Sequence, residues 1–600
     1  MRIVSFGSRI MDDAFNYTCN SSYQNLKQIV GISPFSFNSD VIFNSDNIDL
    51  NIPDSYNKNI LKIDIANDLY ATVSTLDYDI MCIDFIDASL KIWQCTLKDG
   101  RTFRCTYNNF FQQHIDYIKQ LIISETNCPI IKEEIIDPLC WTIEQLKSEM
   151  SVFCKCICNI DIGRLILLDA YIPFQYLQDD TILNTPDIQL VSKLNDFSLK
   201  CRNTFAENIS CKVIERIEYV IGNSDYIKFN FRTYTDEYYQ YIIDSLNNIP
   251  TAESTYIHNI QLKIDITLLE TCFDEIHKYR NNRKLVLIAE DSEVCDIFSS
   301  QSDTNIDIFI KYNDVYCADG ILNPLLNSLA GKSKEYLFVI AHLNNSDKLL
   351  KHLWEIGYSY PFDVIIPSVP RFVLSNFIGS YRDIYKNDIS ISKAGYRLDI
   401  TSLGSRINIA PSNFNISSVS IAVNNQCTLD ISDNVQAHKL IITILDCATV
   451  KIGRTTSFAD NCNIVSIPYT SILIGDDCMF ASKCVCHAGD GHSIFDIDFM
   501  ERINYLPKNS SSDKFKIVID NHIWVGYQST ILQGSKLGSG SIVGARSLVN
   551  KSFPNNVICA GVPAQIIRKD VTWSRNPFTH NIYEGNNVPV STLYAKKTID

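Results

Sequence analysis

What this sequence lacks narrows the field first. It has no stretch of about 18 apolar residues, so no segment is long enough to span a bilayer as a helix. No run of lysine and arginine offsets the formal charge of −15, which argues against nucleic acid as a partner. Among 21 cysteines there is no Cys-x-x-Cys pair, so zinc-site spacing is missing and no metal is expected. Cys154, Cys156 and Cys158 alternate as on one face of a strand, and Cys478, Cys484 and Cys486 lie near His487. Both groups read as small buried hydrophobes with reduced thiols. The start MRIVSFGSRIMDDAF meets Asp12 and Asp13 early and reads as a strand and turn rather than a secretory signal, which points to the cytoplasm.

What is present is enough for several domains, since 600 residues exceed a single hydrophobic core. Residues 1–250 alternate apolar runs (RIVSF, YDIMCIDFI, RLILLDAYI) with helical stretches (FFQQHIDYIKQLI, TDEYYQYIIDSL), the pattern of a parallel α/β sheet. The polar stretch NNIPTAEST, residues 247–255, reads as a linker. Residues 256–385 form a second α/β segment with strands KLVLIAE, IDIFIKY, EYLFVIAH and FDVIIP, for which a Rossmann-like domain is expected. The turn after its first strand, Ala289-Glu290-Asp291-Ser292, lacks the glycines that let backbone approach a pyrophosphate, so no nucleotide site is assigned there.

Near residue 385 helical periodicity gives way to a six-residue step. Ile519, Val525, Ile531, Leu537, Val543 and Val549 keep it, and Gly526, Gly538 and Gly544 directly follow three of them. Ile474, Phe480 and Cys486 share the step, as do Val423, Leu429, Val435 and Ile441. Six residues make one flat side of a triangular coil, with one aliphatic inward and a small residue turning the corner. Residues 390–575 are therefore expected to form a left-handed parallel β-helix, with 576–600 as a tail.

Two resemblances follow. Residues 519–569, with W-V-G, S-I-V-G-A-R-S-L-V and A-G-V-P-A, resemble the closing section of hexapeptide-repeat acetyltransferases. The segment HAGDGHSIFDIDFMERIN, 487–504, interrupts the period. It resembles the active-site loop of the members that O-acetylate bacterial capsular and surface polysaccharides. That resemblance implies acetyl-CoA as donor, a saccharide acceptor, and a homotrimer with sites between adjacent coils. Separately, Phe6-Gly7-Ser8 after the first strand, together with YDIMCIDFIDASLKI and RTYTDEYYQYIIDSL, resembles uncharacterised capsule-cluster proteins related to SGNH esterases. In that group a serine after strand one is the nucleophile and a late Asp-x-x-His supplies its base. This chain departs from it, because His114 is the only histidine before residue 250 and no aspartate stands three residues earlier.

The chemistry names the residues. Acetyl transfer from a thioester to a hydroxyl needs a base near neutral pKa, and histidine is the usual solution. His492, in Asp490-Gly491-His492-Ser493 on a polar loop, is the expected base, and His487 is the second candidate. Either Asp490 or Asp496 is expected to orient its ring. Trp524 offers an indole for a sugar ring or the pantetheine arm; the plainer reading is an edge tryptophan covering the coil end. By resemblance Gly526, Gly544, Ala545 and Ser547 line the donor groove. Arg546, Lys551, Arg568 and Lys569 supply charge for the CoA phosphates, Arg568 and Lys569 being preferred for their place beside A-G-V-P-A. Gly561-Val562-Pro563 reads as the turn where the chain leaves the coil. Two other functions share these features: N-acetylation of a nucleotide-linked amino sugar, and a non-catalytic trimeric scaffold.

Overall fold

The structure, a computed structural model, describes residues 2–8, 24–30, 32–40, 56–66, 69–157, 162–178, 181–185, 187–216, 221–223, 236–247, 275–289, 305–316, 322–341, 346–358, 363–366, 371–383, 385–402, 404–414, 419–490 and 513–576, with isolated positions between them that include His492. The chain divides into two compact units, Met1–Ile260 and Gln261–Asp600.

The first unit is built on a five-stranded parallel sheet. Along the sheet its strands are Lys212–Ile214, Leu165–Leu168, Ile80–Ile83, Arg2–Gly7 and Gln24–Val30. The strands read as continuous apolar runs because both faces are covered: Leu165–Leu168 is buried throughout. The order of connection reverses between Arg2–Gly7 and Ile80–Ile83, and Ser8 and Asp84 stand just beyond the ends of those two strands. A three-stranded antiparallel sheet, Thr102–Thr106, Ile92–Leu97 and Ile130–Ile136, accompanies it. Asn108 caps the helix Asn109–Thr126 by accepting from the Phe111 amide. The alternating cysteines are not on a strand. Cys154 and Cys156 belong to the helix Ile143–Ile157, whose buried stripe is Leu146, Met150, Phe153, Cys154 and Ile157. That stripe steps by three and four, so helical periodicity overrides a spacing of two. Cys158 lies outside the described residues.

The second unit begins with four parallel strands in the order Ile306–Lys311, Lys284–Ala289, Tyr336–Ala341 and Val364–Ile365. The helix Ser346–Glu355 lies in sequence between Tyr336–Ala341 and Val364–Ile365, and Gly357 beyond it adopts φ +102°.

From Phe372 onward the chain winds into a three-sided coil of three eight-stranded sheets, here called faces 1, 2 and 3. Face 1 runs from Phe372–Ser375 to Leu548–Val549, face 2 from Gly379–Arg382 to Lys536–Leu537, and face 3 from Asn413–Phe414 through Trp524–Val525 to Ala564–Lys569. Successive coils pair in parallel, while antiparallel strands close both ends: Phe372–Ser375 on Tyr396–Ile400, Gly379–Arg382 on Asp388–Ile391, and Ala564–Lys569 on Val557–Gly561. Ile519, Val525, Ile531, Leu537, Val543 and Val549 are all buried, as are Val423, Leu429, Val435, Ile474, Phe480 and Cys486.

Ile441 breaks the expected series, being 46% exposed. The late coils repeat every 18 residues, since Thr530 pairs with Leu548 (548 − 530 = 18). The earlier ones are longer, with Val419 on Leu440 (440 − 419 = 21) and Leu440 on Cys462 (462 − 440 = 22). The extra length lies in five-residue strands on face 1, so in Leu440–Ile444 the inward residues are Leu440, Ile442 and Ile444, and Ile441 points out. Corners are also not reserved for small residues: Thr455, Tyr469, Lys483, Gln528 and Arg546 turn them with positive φ.

Small side chains are needed where one coil touches the next. A Cβ on Gly538 would lie 2.4 Å from the Asn555 nitrogen, and one on Gly526 2.6 Å from the Val543 carbonyl oxygen. Other edge positions carry a hydroxyl or thiol that donates to a carbonyl of the following coil. Thr456 bonds Gly475 O at 2.9 Å, Ser529 bonds Gly544 O at 2.8 Å, and Ser535 bonds Val549 O at 3.0 Å. Cys427, Cys478 and Cys484 do the same toward Leu445, Asp520 and Gly526. Burial pushes the Cys427 and Cys478 thiols up to about 12, which keeps them neutral donors.

Because a Cβ on Gly538 would meet backbone that cannot swing aside, the Asn555 nitrogen and the Pro554 carbonyl carbon, as well as the Asn555 side chain, Gly538→Ala is expected to destabilise the coil by about 1–3 kcal/mol through overpacking. Ile531→Ala should cost about 2–5 kcal/mol through the cavity it leaves. Scanning calorimetry of the full chain reads both, and an unchanged coil transition in Gly538→Ala would contradict stacking this tight.

Candidate active site

The coil has three edges, and the residues singled out from the sequence are spread over them. The edge from face 1 to face 2 carries the loop that follows Val485–Ala488 and rejoins at Lys516–Ile519. His487 points outward from face 1, between Val465 and Leu532 in register. Its Nδ1 lies 2.9 Å from the Gly489 carbonyl oxygen. A carbonyl can only accept, so Nδ1 carries the hydrogen and Nε2 of the neutral ring is left as acceptor. Gly489 has φ +134°, and a Cβ there would run into the Ile467 side chain, so the loop leaves the coil through a fixed exit. Beyond it Asp490 is exposed and accepts from Gln533 Nε2 at 3.4 Å, and His492 is exposed. Gly491, Ser493 and Asp496 lie outside the described residues.

The edge from face 3 to face 1 gathers Gly526, Gly544, Ala545 and Ser547. Gly526 and Gly544 donate their amides to Val543 O and Cys559 O, both at 2.8 Å. The buried Ser547 hydroxyl accepts from the Gly561 amide at 3.1 Å. These three groups are occupied in joining coils. Ala545 and Arg546 are exposed on the same edge, and Arg546 Nε donates to Gln528 Oε1 at 3.0 Å. Arg568 and Lys569 are exposed on the closing hairpin opposite Ile558 and Val557, at the other end of that strand pair from Gly561. Lys551 donates to Gln565 at 2.7 Å. Gly561-Val562-Pro563 is not an exit: Gly561, at φ +105°, starts a hairpin turn, and the chain comes back antiparallel as Ala564–Lys569.

Trp524 lies on face 3, 38% exposed, between Met479 and Ile542 of the adjacent coils. Beside it, on the edge from face 2 to face 3, is a cluster the six-residue period gives no hint of. His522 is fully buried, with Nδ1 2.7 Å from Asp477 Oδ2 and Nε2 2.9 Å from the Trp573 carbonyl oxygen. Both ring nitrogens are thereby engaged, which removes His522 as a base. Arg575 donates to the other Asp477 oxygen at 2.7 Å. Burial works against ionising Asp477, but the bonds from His522 and Arg575 outweigh it and hold the carboxyl below its ordinary range. The only sequence sign of this cluster was an aromatic and a basic residue just past the coil, in Val571-Thr572-Trp573-Ser574-Arg575.

In the first unit Ser8 is only 2% exposed, and its hydroxyl donates to Asp84 Oδ2 at 3.0 Å. Asp84 also accepts from the amides of Ser8 and Ile86. Burial, and then the nearby Asp87, push Asp84 up to about 7. The carboxyl ties the ends of two strands together at the point where the strand order reverses.

Among the described residues no group of three or more His, Cys, Asp or Glu is placed to hold a metal ion, and no helix is long and apolar enough to cross a membrane.

No family model matches the chain. Part of it resembles known O-acetyltransferases. It is 37% identical over 149 residues to a polysialic acid O-acetyltransferase of Escherichia coli O1:K1, a match covering 25% of this chain and 45% of the relative. It is 33% identical over 122 residues to the galactoside O-acetyltransferase of Escherichia coli K12, covering 20% and 55%. The chain thus spans about half the length of these curated relatives. The crystal structure of the polysialic-acid-specific acetyltransferase NeuO is 27% identical, covers 36% of this chain and 95% of its own, and gives a TM-score of 0.29.

Asp84 yields a prediction with a defined sign. The folded state holds this proton up to about pH 7, whereas an unfolded aspartate releases it near its model value of 3.8. Between those values the folded state binds more protons, so raising the pH from about 4 to 7 should progressively destabilise the first unit. Asp84→Asn should flatten that slope in denaturant titrations at several pH values, and an identical slope in the variant would contradict the assignment.

Proposed function

We propose that the chain is an acetyl-CoA-dependent O-acetyltransferase acting on hydroxyls of a bacterial capsular or surface polysaccharide, or of its precursor. The observation that carries the reading is the Asp490–His492 loop thrown out from a parallel coil, in a chain that over 149 residues is 37% identical to a polysialic acid O-acetyltransferase.

In this reading His492 is the general base. It takes the proton of the acceptor hydroxyl as the oxygen attacks the thioester carbonyl carbon. The carbon–sulfur bond then breaks, and the imidazolium returns the proton to the departing thiolate, giving acetyl ester and free CoA. A coil amide facing the carbonyl oxygen steadies the developing charge. Asp490 contacts the acceptor or orients the base. The exposed Ala545 and Arg546, with Gly526, Gly544 and Ser547 behind them, form the wall along which the pantetheine arm lies, and Arg568 and Lys569 attract its phosphates.

Within one chain these parts stand on different edges. The His492 loop leaves between faces 1 and 2, the glycine-bearing edge joins faces 3 and 1, and Trp524 sits on face 3. A neighbouring copy brings an edge of one coil against another, so the working form is a homotrimer with its sites between coils.

Incubation with acetyl-CoA and polysialic acid or other candidate capsule polymers, following thiol release, tests the activity. His492→Ala is expected to lose about 10²–10⁴ in rate while binding CoA as before, because the base does not hold the donor. His487→Ala should lose much less. Full activity in His492→Ala together with loss in His487→Ala would overturn the assignment. Light scattering should give about three times the 68.2 kDa chain mass, and a monomer would contradict the shared site.

A further inference from the structure

The residues after the closing hairpin run back along the edge between faces 2 and 3, tied to one coil after another. The Val571 amide donates to Asn556 O at 3.0 Å, and Asn556 Nδ2 donates to Val571 O at 3.1 Å. Trp573 Nε1 donates to His522 O at 2.9 Å. Besides Asp477, Arg575 donates to Ser457 Oγ and Cys478 O at 2.8 Å and to Thr455 O at 3.0 Å.

At the centre of this segment the Trp573 indole lies parallel to the buried His522 imidazole, with centroids 4.3 Å apart and an interplanar angle of 1°. Trp573 cannot turn without breaking that stack and its own indole bond. It also meets Trp524, at 6.1 Å between centroids and 49°. A fixed, buried tryptophan therefore forms the side wall of a tryptophan that presents its own surface to solvent.

The Arg575 bonds already tie this segment to the coil. The wall against Trp524 is an additional feature, and it lies where an exposed indole must keep one orientation to be useful. Aromatic rings at this separation attract each other beyond the area they bury, so each favours one placement of the other. An indole held with one face outward suits stacking against the C–H face of a pyranose ring.

We propose that segment 571–576 is a clasp and that Trp573 is a positioning residue, holding the Trp524 indole in the orientation that receives a saccharide ring. This rests on the reading of Trp524 as acceptor-facing. His522 and Asp477 act through Trp573, and Arg575 acts through Asp477.

The test uses the full chain labelled with 5-fluorotryptophan. Five tryptophans give five ¹⁹F resonances, and Trp524→Phe identifies the one that matters. Trp573→Ala and Arg575→Ala should shift and broaden the Trp524 resonance, and Trp573→Phe should largely restore it. With polysialic acid as acceptor, Trp573→Ala should raise the acceptor KM by a factor on the order of ten, leaving kcat and the acetyl-CoA KM within about twofold, and Trp573→Phe should recover most of that loss. A Trp524 resonance unmoved in both alanine variants overturns the clasp, whether or not polysialic acid is turned over. A moved resonance with an unchanged acceptor KM overturns its role in saccharide binding. If Trp524→Ala itself leaves the acceptor KM unchanged while the resonances respond, the acceptor-facing reading of Trp524 fails and the clasp alone stands.

Discussion

The close approach of each coil to the next, at three edges, is the constraint on which the rest of the second unit depends. Parallel strands hold the faces together, but the edges are where backbone from one turn must pass against backbone of another. A Cβ on Gly538 would reach the Asn555 nitrogen, and elsewhere a hydroxyl or thiol supplies a bond across the gap. This gives the cysteines a role that neither metal binding nor simple apolar filling describes. Cys427, Cys478 and Cys484 stand where Ser529, Ser535 and Thr456 stand in other turns, donating to the same kind of carbonyl. A neutral thiol is a weaker donor than a hydroxyl but fills more apolar volume. It therefore suits an edge wedged between an aliphatic column and a carbonyl.

The same constraint explains where a functional loop can be inserted. Ser471 pairs with Lys516 and keeps the register that Thr449 has with Ser471, although the first interval is 45 residues (516 − 471) and the second 22 (471 − 449). The 23 extra residues leave at one edge and return without disturbing a bond of the ladder. Gly489 sets the exit, because only a residue without a Cβ fits beside Ile467 at that φ. His487, with Nδ1 committed to Gly489 O, then serves the geometry of the exit, five residues before the histidine proposed as base.

The late coils were legible because their period is short and strict: one inward aliphatic in six, with a glycine behind it. Ile441 was misread because the earlier coils are three or four residues longer, and a step of six carried through a five-residue strand arrives at an outward position. Cys154 and Cys156 were misread because a spacing of two is visible in print, whereas they lie on a helix whose buried stripe runs Met150, Phe153, Cys154, Ile157 and leaves Cys156 off it. The partners of the clasp could not be read. Trp573 meets His522 across 51 positions and Arg575 meets Asp477 across 98, and no local pattern encodes such partners. Asp84 belongs with it. The sequence showed a serine after a strand and no histidine to serve it, but not that a carboxyl 76 residues away would occupy its hydroxyl and its amide.

The distribution of polar groups separates what the fold needs from what chemistry could use. His522, Asp477, Ser8 and Asp84 are buried, and their bonds join segments distant in sequence. Buried polar groups of this kind are costly when half satisfied, so stability by itself demands that they keep their partners. His492, Asp490, Trp524, Ala545 and Arg546 are exposed and lie on separate edges and faces of one coil. Exposure leaves such groups able to meet a substrate, but edges of a triangular coil face away from one another. A single copy therefore presents parts of a site in different directions. If these residues act together, as proposed, the geometry that unites them comes from the packing of coil against coil, and the fixed register of each coil makes that packing reproducible.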